Sequence, residues 1–341
     1  MQGTLILIVD DEPQNLAALE QILSHQYRLV FARNGADALR AVDKHRPALI
    51  LLDIQMPDMD GYGVCRALKN NPQTAAIPVI FVSSLSEVRD EAEGFAVGAV
   101  DYIVKPVSPA IVVARIKTHL SLVRATLLEQ SYRDAVRMMG VAGHYNDMDT
   151  GLHIWRMAAY AGALAAARGW SADDCLQLEL SASMHDTGKI GIPNAILRKS
   201  TKLDAVEWET MKTHPLIGHA ILSKSDAPVF QLAAEIALRH HEKYDGSGYP
   251  DGLAGEAIPE SARIVALADV FDALSTKRPY KEPWPLQRVM AVIQDNSGTQ
   301  FDPRLVELFV SILPRIMEIK NNMDSRESAM IQDAATGLLK Q

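Results

Sequence analysis

Five short apolar runs constrain the first third of this chain: TLILIV (4–9), YRLVF (27–31), ALILL (48–52), PVIFV (78–82) and VDYIV (100–104). Between them lie segments with apolar residues spaced three and four apart, at 14–25, 35–45 and 60–70. A run that is apolar throughout is buried on both faces, and its alternation with amphipathic helices predicts a parallel sheet covered on both sides. The expected fold is a doubly wound, five-stranded parallel α/β domain. Ligands in such folds sit beyond the carboxyl ends of the strands, so the residues after each run matter most. They are Asp10 and Asp11, then Asp53, then Ser83 and Ser84, then Lys105 and Pro106.

Three carboxylates at one sheet edge repel one another and titrate high unless a cation shares the site. A hard divalent ion, magnesium, resolves the conflict. With it present, Asp53 can accept a phosphoryl group, Ser83 can donate to its oxygens and Lys105 can pair with its charge. Acids and serines also end strands as turn-formers and caps. That accounts for any one of these residues but poorly for all of them at successive strand ends. Residues 3–125 resemble a response-regulator receiver domain, on VDDEP (9–13), LLDIQMPDMDG (51–61), VSS (82–84) and YIVKP (102–106). The resemblance implies Asp53 as phosphoryl acceptor and Asp10, Asp11 and Asp53 around magnesium. It also implies Ser83 as hydroxyl switch, Tyr102 as the aromatic that moves with it, Lys105 as the charge partner, and a cognate sensor histidine kinase.

Residues 108–140 hold no proline after Pro109 and no glycine before Gly140, with Ile111, Val112, Ile116, Leu120, Val123, Leu127 and Leu128 in a stripe. The last receiver helix is therefore expected to run on as a connector over 126–143. Such a seam can pair with a second chain in a homodimer, or pack within its own chain. From 144 to 320 every patterned segment is helical, which predicts an all-α domain of seven or eight helices, followed by a helical tail at 321–341. The 341 residues carry a formal charge of −8, the wrong sign for a general nucleic-acid binder, so no DNA partner is expected. Two cysteines, Cys65 and Cys175, build neither a disulfide framework nor a thiolate zinc site. With no signal peptide or membrane-spanning run read from the sequence, a reducing, cytoplasmic setting is expected.

Seven of the ten histidines fall between His144 and His241. Asp149 and His153, four apart, share a helical face; His185 and Asp186 are adjacent; His214, the pair His240 and His241, and Asp269 complete the set. Imidazole and carboxylate without thiolate suit a first-row catalytic metal. Neighbouring helical positions point about 100° apart, so His240 and His241 are expected to diverge, toward two ions or one ion and its outer shell. His144 and His219 are read as ordinary surface or packed histidines. Lys189, Arg278 and Lys281 supply cations for an anionic substrate, and metals beside them suit phosphodiester hydrolysis.

The same half resembles an HD-GYP domain, a branch of the HD phosphohydrolases. The motifs are HDTGKIGIPNAIL (185–197), VEWETMKTHPLIGHAIL (206–222), HHEKYDGSGYPDGLAGEAIP (240–259), ARIVALADVFDALSTKRPYK (262–281) and GTQFDPRLVELF (298–309). It implies hydrolysis of cyclic di-GMP to pGpG or GMP with two or three iron, manganese, nickel or similar ions. It assigns His153, His185, Asp186, His214, His240, His241 and Asp269 as ligands, His185, Asp186 and Lys189 to catalysis, and Lys189, Tyr249, Arg278 and Lys281 to substrate. Asp149 departs from the pattern, standing where three-metal members carry glutamate. Its shorter reach favours two metals and opens a preference for pGpG. A weakly catalytic module that docks on diguanylate cyclases is the alternative from another class, and a mononucleotide-cleaving HD enzyme is a third.

Overall fold

The computed structural model describes residues 3–84, 88–144, 152–199, 201–276 and 282–338. The chain divides into two compact units, the first ending at Ser131 and the second beginning at Tyr132. In the first, strands β1 (Leu5–Val9), β2 (Arg28–Ala32), β3 (Leu49–Leu52), β4 (Val79–Ser83) and β5 (Asp101–Val104) form a parallel sheet in the order β2-β1-β3-β4-β5. Each lies within one residue of its apolar run. Helices α1 (Pro13–Leu23), α2 (Gly35–His45), α3 (Gly61–Asn70), α4 (Val88–Ala96) and α5 (Pro109–His144) alternate with them.

The two-residue period of the strands sorts the core into two layers. Leu7, Val9, Ile50, Leu52, Val79 and Phe81 pack with Val42 of α2 and with Val64 and Leu68 of α3. Ile6, Ile8, Leu49, Leu51, Ile80 and Val82 face the other way, onto Leu16 and Leu19 of α1 and Val112 and Ile116 of α5. Burying a side chain of this size contributes about 1.5–3 kcal/mol, so both faces must be covered. Strand order reverses between β1 and β3, which places the ends carrying Asp10 and Asp53 side by side at the switch point. Helix α5 is continuous over 36 residues, so 126–143 is helical throughout.

The second unit contains α6 (Leu152–Arg168), α7 (Ala172–Ala182), α8 (Asn194–Leu197), α9 (Ala205–Met211), α10 (His214–Leu222), α11 (Pro228–Arg239), α12 (Glu260–Ser275), α13 (Leu286–Asp295), α14 (Pro303–Ser311) and α15 (Leu313–Leu338). Among the described residues this exceeds the seven or eight helices expected. Part of the excess is α8, only 4 residues long and with no buried residue, and part is that residues 204–222, patterned as one helix, divide into α9 and α10. Residues 321–338 continue α15 rather than start a new helix. The core joins Met157, Tyr160 and Leu164 of α6 to Leu178 of α7, Ile264 and Phe271 of α12, Ile293 of α13 and Phe309 of α14.

Arg156 is fully buried in this core. An isolated guanidinium there would cost several kcal/mol. Two bonds to Asp272, at 2.9 and 3.2 Å, offset that cost, with Asp324 of α15 at 3.5 Å. The C-terminal helix is thereby tied to the layer that carries the site.

Candidate metal centre and phosphoacceptor site

In the first unit Asp10 and Asp53 are buried beyond β1 and β3. One oxygen from each of Asp10, Asp11 and Asp53 lies within 4.8 Å of the others, a spacing that fits a shared divalent ion. The Lys105 ammonium reaches across from the end of β5 to Asp10 at 2.8 Å and Asp53 at 2.9 Å. Burial raises the Asp53 carboxyl above the usual carboxylate range, although Lys105 pulls the other way. Ser83 is the buried last residue of β4, and Tyr102 on β5 lies opposite Phe81.

The second site is assembled from five helices. His153 lies in the first turn of α6, and His185 and Asp186 follow α7. His214 opens α10, His240 caps the end of α11, and Asp269 lies within α12. Two donor groups result: His153, His185 and Asp269, and Asp186, His214, His240 and His241, with the donor atoms of each group within 4.8 Å of one another. Asp186 stands between them. Its Oδ1 is 3.3 Å from His214 Nε2 and 3.6 Å from His240 Nε2, while its Oδ2 is 3.2 Å from His185 Nε2 and 2.7 Å from Lys189 Nζ.

Four of the rings are held from behind. The Nδ1–H of His185 donates to Ala182 O at 2.9 Å, that of His214 to Met211 O at 2.7 Å, and that of His240 to Ile236 O and Ala237 O at 3.1 and 3.0 Å. His153 Nδ1 donates to the Asp272 carboxylate at 2.5 Å. The carbonyl bonds of His185, His214 and His240 occupy Nδ1 and turn Nε2 toward the cluster, the arrangement metal-ligating histidines use, and Asp272 orients His153 the same way. His240 Nε2 is buried with no hydrogen-bond partner among the described residues, and His241 Nε2 and His214 Nε2 face each other at 3.1 Å. A buried acceptor without a partner costs about 1–3 kcal/mol; cations on the two donor groups would remove that cost. The residues present fit two divalent ions.

The charges agree. Burial holds His240 below the ordinary imidazole range and His241 well below it, so both are neutral and able to ligate. Burial acts the same way on His153, but the bonds to Asp269 and Asp272 prevail and push it up to about 10. Asp269 is driven far below the usual carboxylate range, burial notwithstanding, by His153 and His185.

A model of the HD domain family matches residues 125–305, more than half of the chain, and one of the response regulator receiver domain matches 6–117. The "Probable cyclic di-GMP phosphodiesterase" of Vibrio cholerae serotype O1 is 39% identical over 96% of this chain and 81% of its own length. The "Cyclic di-GMP phosphodiesterase response regulator RpfG" of Xanthomonas campestris pv. campestris is 38% identical, over 89% and 86%. The "Cyclic di-GMP phosphodiesterase" of Thermotoga maritima is 34% identical, over 92% of each chain. The chain is a response regulator of the HD-domain family.

One expectation about this HD-domain response regulator is corrected. His240 and His241 do not diverge; both belong to the donor group of Asp186 and His214, with ring centroids 4.0 Å apart. Helix α11 ends at Arg239, so His241 already lies in a turn where the 100° step of a helix no longer holds. His219 lies outside both groups, bonded to Ala234 O at 3.2 Å. Asp149, Arg278 and Lys281 lie outside the described residues.

Three residues of the site escaped the sequence reading. Asp272 and Arg156, each three positions from a candidate ligand on its own helix, support His153. Glu242 is the third: nearly fully buried, it accepts from Asp251 N at 2.9 Å and Leu253 N at 3.0 Å, and pairs with Arg239 at 3.3 Å. It shapes the turn that lays Tyr249 against His241, ring centroids 4.7 Å apart and planes 27° from parallel. A side chain at Gly248 would meet Lys243 N at 2.3 Å and Glu242 Cα at 2.5 Å, so only glycine lets the turn pass this close.

Proposed function

We propose that the HD domain hydrolyses cyclic di-GMP, to pGpG and on to GMP, at a two-metal centre, and that phosphorylation of Asp53 by a sensor histidine kinase regulates it. The observation that carries the reading is the pair of donor groups that meet at Asp186. Its support is the cyclic di-GMP phosphodiesterase activity for which the three relatives are named, matched over most of their own length. First-row divalent ions held by His153, His185 and Asp269 and by Asp186, His214, His240 and His241 supply Lewis acidity and acidify water. Lys189, 2.7 Å from Asp186, offers its ammonium to the phosphate oxygens, and Tyr249 closes the site over His241. Arg278 and Lys281 complete the grip on the substrate. In the receiver, Asp10, Asp11 and Asp53 hold magnesium, Ser83 and Lys105 receive the phosphoryl oxygens, and Tyr102 follows Ser83.

Anaerobic purification with elemental analysis, followed by product analysis on cyclic di-GMP and pGpG, tests this. The full chain is expected to carry about two divalent ions, and His240→Ala to lose about one of them with turnover down at least 100-fold. A His240→Ala protein with full metal content and full turnover would overturn the assignment. Cleavage of pGpG alone would move the substrate to the linear dinucleotide, and tight binding without turnover would favour a docking module.

A further inference from the structure

The GYP turn brings Tyr249 against a second aromatic that the catalytic reading leaves unused. Trp208 of α9 stands 6.4 Å from Tyr249, centroid to centroid, with the planes at 78°. One face of Tyr249 is taken by His241, so Trp208 and Tyr249 form a corner beside the donor group.

Trp208 does not serve as a core anchor. It is 45% exposed, and the helix that bears it buries no residue at all. Polar staples hold that helix instead. Asp204 accepts from the amides of Val206 and Glu207, both at 2.9 Å, and Glu207 accepts in return from Asp204 N at 2.8 Å, forming a capping box. Lys199 from beyond α8 grips Glu207 at 2.5 Å. A short helix fixed by its cap and an ion pair, presenting an indole to water, is built to display that indole. Exposed aromatic faces near a phosphate-handling centre are platforms on which bases stack.

We propose that Trp208 is a specificity-determining residue: a purine base of the substrate stacks on its indole, with the base edge toward Tyr249 and the phosphate toward the Asp186 centre. The inference deepens the phosphodiesterase reading and rests on it for the orientation of the nucleotide. Stacking on the indole selects nucleotides over other phosphates. It leaves the chemistry at phosphorus to the metal centre.

Calorimetric binding of GMP and ribose 5-phosphate to the metal-loaded full chain tests it, since the second keeps the sugar and phosphate and carries a hydroxyl in place of the base. Trp208→Ala is expected to weaken GMP about tenfold and leave ribose 5-phosphate unchanged. Trp208→Phe, which restores an aromatic face, should bring GMP back to within about threefold of wild type. Unchanged GMP affinity in Trp208→Ala overturns the proposal. So does equal weakening of both ligands, which would report a disturbed Tyr249 or metal centre, and so does a wild type that binds both ligands alike. Failure of the wild type to cleave cyclic di-GMP, with the GMP discrimination intact, would sink the phosphodiesterase reading and leave the stack standing. Turnover with no Trp208 effect would do the reverse.

Discussion

A methyl group at position 188 would sit 1.9 Å from the carbonyl oxygen of His214 and 2.5 Å from the amide nitrogen of Gly218. Gly188 lies two residues after Asp186, in the 3-10 turn Thr187–Gly191 that packs on α10. The pressure there is steric: with no Cβ, the turn approaches α10 closely enough to bring Asp186 Oδ1 within 3.3 Å of His214 Nε2. Both offending atoms belong to backbone, which cannot rotate away. Gly188→Ala is therefore expected to cost about 3 kcal/mol in stability and to push His214 out of its donor group. Denaturant unfolding and metal content would check it. An unchanged midpoint with unchanged metal would show that the turn yields more easily than a packed backbone should.

Between elements, the receiver carries a tie that responds to acid. Asp101, the first residue of β5, bonds Arg115 and His119, one turn apart on α5, the latter at 2.8 Å. Burial would raise its carboxyl, but the hydrogen bonds from Arg115, His119 and Tyr102 N outweigh burial and leave it below the usual carboxylate range. A depressed folded-state value means stability present above the unfolded value, about 4, and lost as pH falls through the lower, folded one. Asp101→Asn should cost about 1 kcal/mol at neutral pH, a figure kept small by the exposure of Arg115. Its deficit against wild type should shrink below about pH 4. Melts of both proteins from pH 6 to pH 3 decide the point, and a constant gap would assign the loss to packing. The elements themselves were largely legible, because the strands of a doubly wound sheet are apolar on both faces and announce themselves. The four residues of α8 were too few to show a period, and the break between α9 and α10 was hidden inside one patterned segment, 204–222. The donor residues could be named from their types. That His240 and His241 share one group depends on where α11 stops, and Asp272, Arg156 and Glu242 act through contacts 9 to 119 residues distant in sequence.

Across the whole molecule, each unit has its own apolar core and its own cluster of candidate metal ligands, and α5 contributes Val112 and Ile116 to one core and Val136 to the other. Units that bury separate cores unfold separately unless something couples them, and a ligand that binds only the folded form stabilises its own unit by RT ln(1 + [L]/Kd). At 100 times Kd this is about 2.7 kcal/mol, a rise of roughly 5–10 °C for a unit of this size. Calorimetry of the full chain is therefore expected to resolve two transitions. Manganese should raise the transition that Gly188→Ala lowers, and chelation should remove that gain. Magnesium with beryllofluoride, an acyl-phosphate mimic, should raise the other, and Asp53→Asn should abolish the shift by removing the proposed acceptor carboxylate. Because the proposed phosphorylation signal would have to cross from one core to the other, cross-talk is the informative exception. If the mimic also displaces the manganese-dependent transition, the difference between the two shifts measures the coupling free energy carried between the units. If both ligands move one merged transition equally, the division into two independently stable cores is wrong.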